Sequence, residues 1–438
     1  MAEQMKPSGI DWIGDVPANW HMIKLKYFSY LKGRIGWQGL TADEFIDEGP
    51  YLITGTDFEN GKIQFDRSYH ISADRYNQAP EIQLKVGDLL VTKDGTVGKM
   101  AYVDTLPDKA SLNSHLLLIR PLQNKFDNRF LFWLMSSSVF SGYTEYAQDG
   151  TVMASLSQEK IGNFIAYFPE IAEQQAIADF LDKECAQIDS IAADLEKQIE
   201  LLQQYKKSLI AETVTKGLDK SVTMKDSGVD WIPYEIPKHW RLSKIKYLFN
   251  LRDEKNYRPL EEVNLISLYT DLGVVQHCDL ETTTGNKAYT AEGYKKVYVD
   301  DIVVNIILCW MGAIGISKYE GVTSPAYDVY YAIDKETVCS KYYHYLFKLE
   351  RFHGKCYSVG RGIMAMRWRT YSSEFKNIIV PVPSIQEQQE IAEFLDKRCS
   401  MIDQIILQKE EQVKSIQQHK KSLIYEYVTG KKRVKEVQ

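Results

Sequence analysis

Leu181, Ile188, Leu195, Leu202 and Leu209 recur every seventh residue, and Cys185, Ala192 and Ile199 follow four residues after the first three of them. An apolar pair repeating at that interval, held over about five heptads, is the seam of a coiled coil. The pattern returns with Leu395, Ile402, Ile416 and Leu423, accompanied by Cys399, Ile406 and Val413 and interrupted by Lys409. Lys206 and Lys420 stand at matching seam positions near the ends, where a lysine is tolerated if the seam frays or meets another chain. Neither 172–216 nor 385–429 contains proline or glycine. Each stretch therefore predicts one uninterrupted helix of about 42–45 residues, roughly 65 Å long. Helix–helix packing is the first duty of such stripes, and two matching helices in one chain predict an antiparallel pair.

The regions between, about 20–168 and 240–382, follow another pattern. They are rich in aromatic, β-branched and glycine residues, and they carry short strand-like runs. These are PYLITGTDF (50–58), VGDLLVT (86–92), HLLLIRP (115–121), VNLISLYT (263–270), VDDIVVNIIL (299–308) and AYDVYYAI (326–333). NRFLFWLMSSS (128–138) and SKYYHYLFKLE (340–350) read as short helices. FIAYFP (164–169) and NIIVPVP (377–383) read as strands running into proline. Each region is thus expected to be α+β.

The chain states this plan twice. PEIAEQQAIADFLDK at 169–183 returns as PSIQEQQEIAEFLDK at 383–397, and more than half of the aligned positions across the two long helices are identical. SGIDWIG at 8–14 returns as SGVDWIP at 227–233. The framework repeats but the loops do not. VGDLLV leads into KDGTVGK (93–99), whereas VDDIVV leads toward CWMGAIG (309–315). QDGTVMASLS (148–157) stands where the second copy has VGRGIMAMRW (359–368). A shared skeleton with different loops is the pattern expected when loops carry specificity.

Composition narrows the classes. The 438 residues suit two domains, and 44% hydrophobic with 26% charged residues is ordinary for a globular protein. No apolar run reaches the length of a membrane span, and the first residues lack a signal-peptide core, so no membrane and a cytoplasmic location are expected. The six cysteines show no CxxC pair, which speaks against a zinc site or a disulfide framework. A net charge of −6 gives no global sign of nucleic-acid binding, so any such site must be a local basic surface.

Catalytic chemistry is indicated mainly by absence. Gly95 to Lys99 is too short for a phosphate loop and is followed by Met100. No dinucleotide fingerprint, HExxH spacing or amino-methyltransferase tetrad occurs. His277 and Cys278 lack partners for a metal. Asp74, Glu81 and Lys85, or Asp88 with Lys93, could imitate a nuclease centre, but solvated strand ends explain them better. The loops instead offer groups that suit phosphates and base edges. In the first region these are Lys32, Arg34, Trp37, Lys93, Thr96 and Lys99; in the second they are Arg252, Lys255, Asn256, Tyr257, Arg258, Arg361, Arg367 and Arg369. Arg367 or Arg369 could alternatively pair with Glu374 and pack its loop. Trp37 and Trp368 suit a core as well as a contact.

Taken together, the SGIDWIG opening, GPYLITGTDF, GDLLVTKDGTVGK, DGTVMASLS, GRGIMAMRWRTYSSEF and the duplicated EQQ.IA.FLDK helices resemble the specificity subunit of type I restriction–modification systems. The resemblance covers essentially the whole chain. It implies an α+β fold with two target recognition domains in pseudo-two-fold arrangement, separated by two long helices in an antiparallel coiled coil. On that plan 1–168 is the first recognition domain, 169–218 the first long helix, 219–382 the second domain, 383–430 the second helix and 431–438 a basic tail. Each domain would read one half of a bipartite, asymmetric site on double-stranded DNA, and the helices would set the spacer between halves. The helices would also recruit two modification subunits, with Gln203, Gln204, Lys206, Lys207, Gln417, Gln418, Lys420 and Lys421 as matching docking tracts. S-adenosylmethionine would belong to those subunits, and ATP and Mg to two restriction subunits. This chain would itself be non-catalytic, with no cofactor or metal. A protein–protein scaffold and a stand-alone DNA-modifying enzyme are the rival readings; salt-sensitive, sequence-dependent DNA binding by the assembled complex would remove the first, and the missing cofactor motif speaks against the second, which methylation or cleavage by the purified chain would revive.

Overall fold

The structure is a computed structural model that describes residues 4–34, 40–94, 96–146, 155–232, 235–270, 272–279, 290–362 and 368–434. The chain divides into two compact units, Met1–Glu196 with Glu411–Gln438, and Lys197–Glu410. Each unit therefore holds one α+β region together with a portion of both long helices.

In the first unit a four-stranded antiparallel sheet runs in the order Met100–Tyr102, Leu89–Thr92, Leu116–Pro121, Ser29–Lys32. Its central strands are apolar on both faces because both faces are covered. Leu89, Val91, Leu117 and Ile119 point into a core with Trp20, Phe130, Phe168 and Leu181. Leu90, Leu116 and Leu118 point into a second core with Ile53 and Leu112. That second core lies under a three-stranded sheet in which Ala110–Leu112 runs parallel to Ile46–Ile53. The strand predicted across 50–58 ends at Ile53, because Thr54 and buried Asp57 close a capping box that turns the chain.

The second unit repeats the sheet order with Ile314–Ile316, Ile302–Asn305, Tyr327–Ala332 and Phe249–Leu251. Ile302, Val304 and Tyr330 face one core, and Val303 and Val329 the other. The run predicted as a strand to residue 308 stops at Asn305. There the Asn305 side-chain oxygen accepts the N–H groups of Ile307 at 3.0 Å and Leu308 at 3.3 Å, bending the chain out of the sheet.

In both units a strand into proline, Ile165–Phe168 or Ile379–Val382, pairs antiparallel with His21–Lys24 or Arg241–Lys244 and then feeds a long helix. The helices span Ile171–Lys216 and Ile385–Val428, 46 and 44 residues. Each ends at a glycine with positive φ, Gly217 at 77° and Gly430 at 69°, the usual left-handed stop. A Cβ at Gly430 would fall 2.4 Å from Pro17 Cγ, so this stop is also a close-packing position.

The duplicated helix motif explains itself at the contacts. Gln174 is fully buried; its carbonyl accepts Asp127 N–H at 2.8 Å and its amide donates to the Pro169 carbonyl at 2.8 Å. Gln388 does the same with Cys339 N–H at 2.8 Å and the Pro383 carbonyl at 3.0 Å. Each glutamine thus satisfies a donor ahead of a short helix, Asn128–Met135 or Ser340–Phe347. Asp182 accepts Trp133 Nε1–H at 2.7 Å, and Asp396 accepts the Tyr345 hydroxyl at 2.6 Å.

Candidate nucleic-acid interface

The helix seam is observed as an alternation of covered and exposed positions inside each unit. Leu181 and Cys185 are buried, and Ile188, Ala192 and Leu195 are half-buried between exposed neighbours. In the first unit Phe180 packs on Tyr427 with ring centroids 4.4 Å apart, while Asp189 meets Lys420 at 2.6 Å. In the second unit Gln198 meets Lys409 at 2.5 Å, and Lys206 meets Asp403 at 2.6 Å. Rising numbers on one helix meet falling numbers on the other, so the pairing is antiparallel. Lys206 and Lys420 are therefore seam residues held by an aspartate on the opposite helix, not frayed ends. Of the docking candidates, these two are engaged within the pair. Gln203, Gln204, Lys207, Gln417, Gln418 and Lys421 are exposed, with Lys207 at 2.9 Å from Glu350.

The loop candidates separate into scaffold and surface. Arg34 is buried; its Nε donates to the Leu112 carbonyl at 2.8 Å and Nη2 to Ser111 Oγ at 2.9 Å. Arg252 forks onto Asp301, with Nε at 2.8 Å and Nη2 at 2.9 Å, and lies 4.5 Å from the Tyr331 ring centroid. Asp301 is buried and also accepts Tyr298 N–H at 2.9 Å. The first unit solves the same problem differently. Asp88 is buried and paired with Arg120, Nε and Nη2 each donating at 2.7 Å, so it is no solvated strand end. Asp88 and Asp301 occupy matching strand starts, but the counter-charge comes from the central strand in one unit and from the residue that follows the edge strand Phe249–Leu251 in the other. Arg252 is thus a scaffold residue rather than a groove residue, and its partner lies 49 positions away, beyond what local loop composition reveals.

Asn256 is likewise internal. Its Nδ2 donates to the carbonyls of Arg258 at 2.8 Å and Ala291 at 2.9 Å, its Oδ1 accepts Arg258 N–H at 3.1 Å, and its backbone N–H reaches the Tyr294 carbonyl at 2.7 Å. These bonds hold a knuckle whose tip is Tyr257, 79% exposed, between exposed Lys255 and Arg258.

Lys32, Thr96 and Lys99 are exposed in the first unit and Lys93 is half-buried. Thr92 organises the turn carrying them: its hydroxyl oxygen accepts Lys99 N–H at 2.9 Å, and its carbonyl accepts Gly98 N–H at 2.9 Å. In the second unit Arg361 and Arg369 are exposed and exchange two backbone hydrogen bonds of 2.9 Å, closing the loop at its base. Glu374 pairs with Arg361, and among the described residues not with Arg369. Trp368 is half-buried, stacked on Tyr357 at 4.8 Å, and donates to its carbonyl at 3.0 Å. Trp37 and Arg367 lie outside the described residues. The basic tail begins on the first unit, where Lys432 pairs with Glu426 at 2.7 Å and Arg433 pairs with Glu173.

What emerges is one scaffold built twice, with different basic and aromatic groups on its loops. Residues 19–201 and 237–415 each match the family model described as the type I restriction modification DNA specificity domain. The chain belongs to this family. A type I restriction enzyme specificity subunit from Methanocaldococcus jannaschii, MjaVIII, is 24% identical over 96% of this chain and 94% of its own length. The EcoBI specificity subunit of Escherichia coli is 24% identical over 73% of this chain and 68% of its own. Among solved structures, a chain from work on complex assembly and conformational transition of the type I R-M system superposes with a TM-score of 0.68. It is 12% identical and is matched over 95% of this chain and 99% of its own. The HsdS subunit from Thermoanaerobacter tengcongensis gives 0.54 at 12% identity, over 95% and 98%. At such identities the two superpositions speak for the fold. The role that family and relatives share is that of a DNA sequence-specificity subunit. Among the described residues no helix is long and apolar enough to cross a membrane, and no cluster of three or more His, Cys, Asp or Glu could hold a metal.

Proposed function

We propose that each unit of this specificity subunit reads one half of a bipartite, asymmetric DNA site. The observation that carries the reading is the repeated scaffold with unlike loops: the same buried Asp and Gln anchors in both units, Asp88 with Gln174 and Asp301 with Gln388, but Thr96 and Lys99 displayed by one and Tyr257, Arg258 and Arg369 by the other. A Lys or Arg suits phosphate or a guanine edge, and an exposed tyrosine held on a rigid knuckle loses little freedom on contact. Arg34, Arg252 and Asn256 then act behind this surface by holding it. The exposed Gln203, Gln204 and Lys207 with their counterparts Gln417, Gln418 and Lys421 form the docking tracts for two copies of a modification subunit, since paired identical surfaces suit identical partners. The modification subunits supply S-adenosylmethionine, and restriction subunits, where they join, supply ATP and Mg. The chain itself performs no catalysis. Calorimetry with purified chain checks this directly: no heat of binding for S-adenosylmethionine is expected, and micromolar binding would contradict it.

The discriminating experiment replaces Tyr257 and Arg369 singly by alanine in the assembled complex and measures binding to duplexes altered in one half-site at a time. Base reading predicts lost discrimination confined to one half, about 1–3 kcal/mol per contact. Relaxed recognition of both halves would show that the units are not separate readers.

A further inference from the structure

One exposed surface feature is duplicated. Leu25-Lys26-Tyr27 and Ile245-Lys246-Tyr247 follow the matching strands His21–Lys24 and Arg241–Lys244. Leu25 and Ile245 are fully buried, and their N–H groups donate to the Phe164 carbonyl at 3.1 Å and the Ile378 carbonyl at 3.0 Å. The next two residues are thereby fixed outward. Tyr27 and Tyr247 are each 67% exposed. The Lys26 ammonium lies 5.2 Å from the Tyr27 ring centroid, and Lys246 lies 5.1 Å from Tyr247. Among the described residues none of the four makes an ion pair or side-chain hydrogen bond. The same exposed pair, in the same geometry, therefore recurs where the surrounding loops differ.

A feature identical in two units that carry different loops suits something identical in the two half-sites. Both side chains offer donors: the ammonium has three N–H groups and the phenol one O–H. An acceptor-only, anionic ligand matches that set. Beside Lys26 a groove of about 590 Å³ is lined also by Lys32, Ser29, Gln158, Asn163 and Glu159, so cations and amides outnumber the single carboxylate. The Lys246 N–H donates to the Lys376 carbonyl at 2.9 Å, so the backbone of a second lysine adjoins it. The phosphodiester backbone of DNA is anionic, offers acceptors and does not vary with sequence.

We propose that Lys26–Tyr27 and Lys246–Tyr247 are a pair of sequence-independent phosphate clamps, one in each unit, that position the DNA while other loops read it. The assignment rests on the DNA-specificity reading above. Cation–π contact pre-orients each ammonium, and the phenol hydroxyl adds a second donor.

The test measures DNA affinity of the assembled complex across a salt series for Lys26→Ala, Lys246→Ala, the double variant, and Tyr27→Phe with Tyr247→Phe. Thermal melting is measured alongside and stays unchanged, because all four side chains are exposed. Each lysine variant is expected to lower the slope of log K against log salt by about one, and the double variant by about two. Discrimination between half-site variants is expected to stay constant, and the phenylalanine variants are expected to weaken all duplexes equally. An unchanged salt slope in the lysine variants, with wild type still binding, would overturn the clamps alone. So would lost discrimination in one half, which marks base reading, or fewer bound partner subunits at an unchanged slope, which marks a protein-facing surface. A wild-type complex with no salt-dependent DNA binding would overturn the DNA reading together with the clamps.

Discussion

At the residue scale, this chain separates charges that hold a surface from charges that form it. Asp301 and Arg252 illustrate the first kind. Arg252→Ala would leave a buried carboxylate without its counter-ion, at about 3–5 kcal/mol. The expected outcome is a lower melting temperature for the second unit, where loss of a DNA contact would leave melting unchanged. His344 offers a pH test. Burial, with Lys348 and Lys318 adding to it, pushes this imidazole down to about 3, and its Nδ1 accepts Ile316 N–H at 3.2 Å. An unfolded histidine titrates near 6.5, so the unfolded state binds the extra proton first. The contribution of neutral His344 is therefore complete above about pH 6.5 and is lost as pH falls toward 3. His353 is also lowered by burial and acts in the same direction. Phe132 occupies the corresponding place in the first unit. His344→Phe should flatten the decline of urea midpoint between pH 6.5 and 3, and an undiminished slope would contradict the assignment.

At the element scale, the long helices are fastened by the same side chains twice, which is why the repeat was the most readable part of the sequence. The seven-residue spacing of Leu181 to Leu209 specifies helix and seam without any tertiary information. What the spacing could not specify is the partner of a seam lysine. Lys206 and Lys420 read as tolerated ends, and only the antiparallel pairing shows Asp403 and Asp189 opposite them. Exposed pairs of this kind contribute about 0.2–1 kcal/mol each. Gln388 matters more. Gln388→Leu should cost about 1–3 kcal/mol by leaving the part-buried Cys339 N–H without its acceptor, and chemical denaturation of the variant checks it. Glu387 caps the same helix. Burial opposes its charge, yet donors from His239, Trp240 and Ser384 hold it down to about 2. Its stabilising share is present above about pH 4.5 and is lost as pH falls toward 2. Strands were legible to within a few residues, and the two misreadings, at 50–58 and 299–308, share a cause. A side-chain oxygen of Asp57 or Asn305 captures backbone N–H groups and ends the sheet, a local competition that apolar runs do not reveal.

At the scale of the whole molecule, duplication links architecture to function. Two copies of one scaffold, each enclosing part of both helices, allow loops to diverge while anchors stay the same. The family was legible from the repeated helix motif. The interface was legible only as residue types, because exposure and partner depend on chain segments far apart: Arg34 with Leu112, Arg252 with Asp301, Arg361 with Glu374. The helices also make a length prediction. Four residues inserted ahead of Lys216 add about 6 Å of helix, close to two base pairs at about 3.4 Å each. The spacer of the recognised site should lengthen accordingly while both half-sites stay the same; an altered half-site with an unchanged spacer would refute the ruler.

The central claim, that two units read two halves, is tested most directly by mapping methylated bases in the DNA of cells that express this chain with its modification subunits, with and without Tyr257→Ala. The account predicts two short defined sequences separated by a fixed undefined spacer, and a relaxation confined to one of them in the variant. A continuous or single-part motif, or a variant that relaxes both parts together, would contradict it.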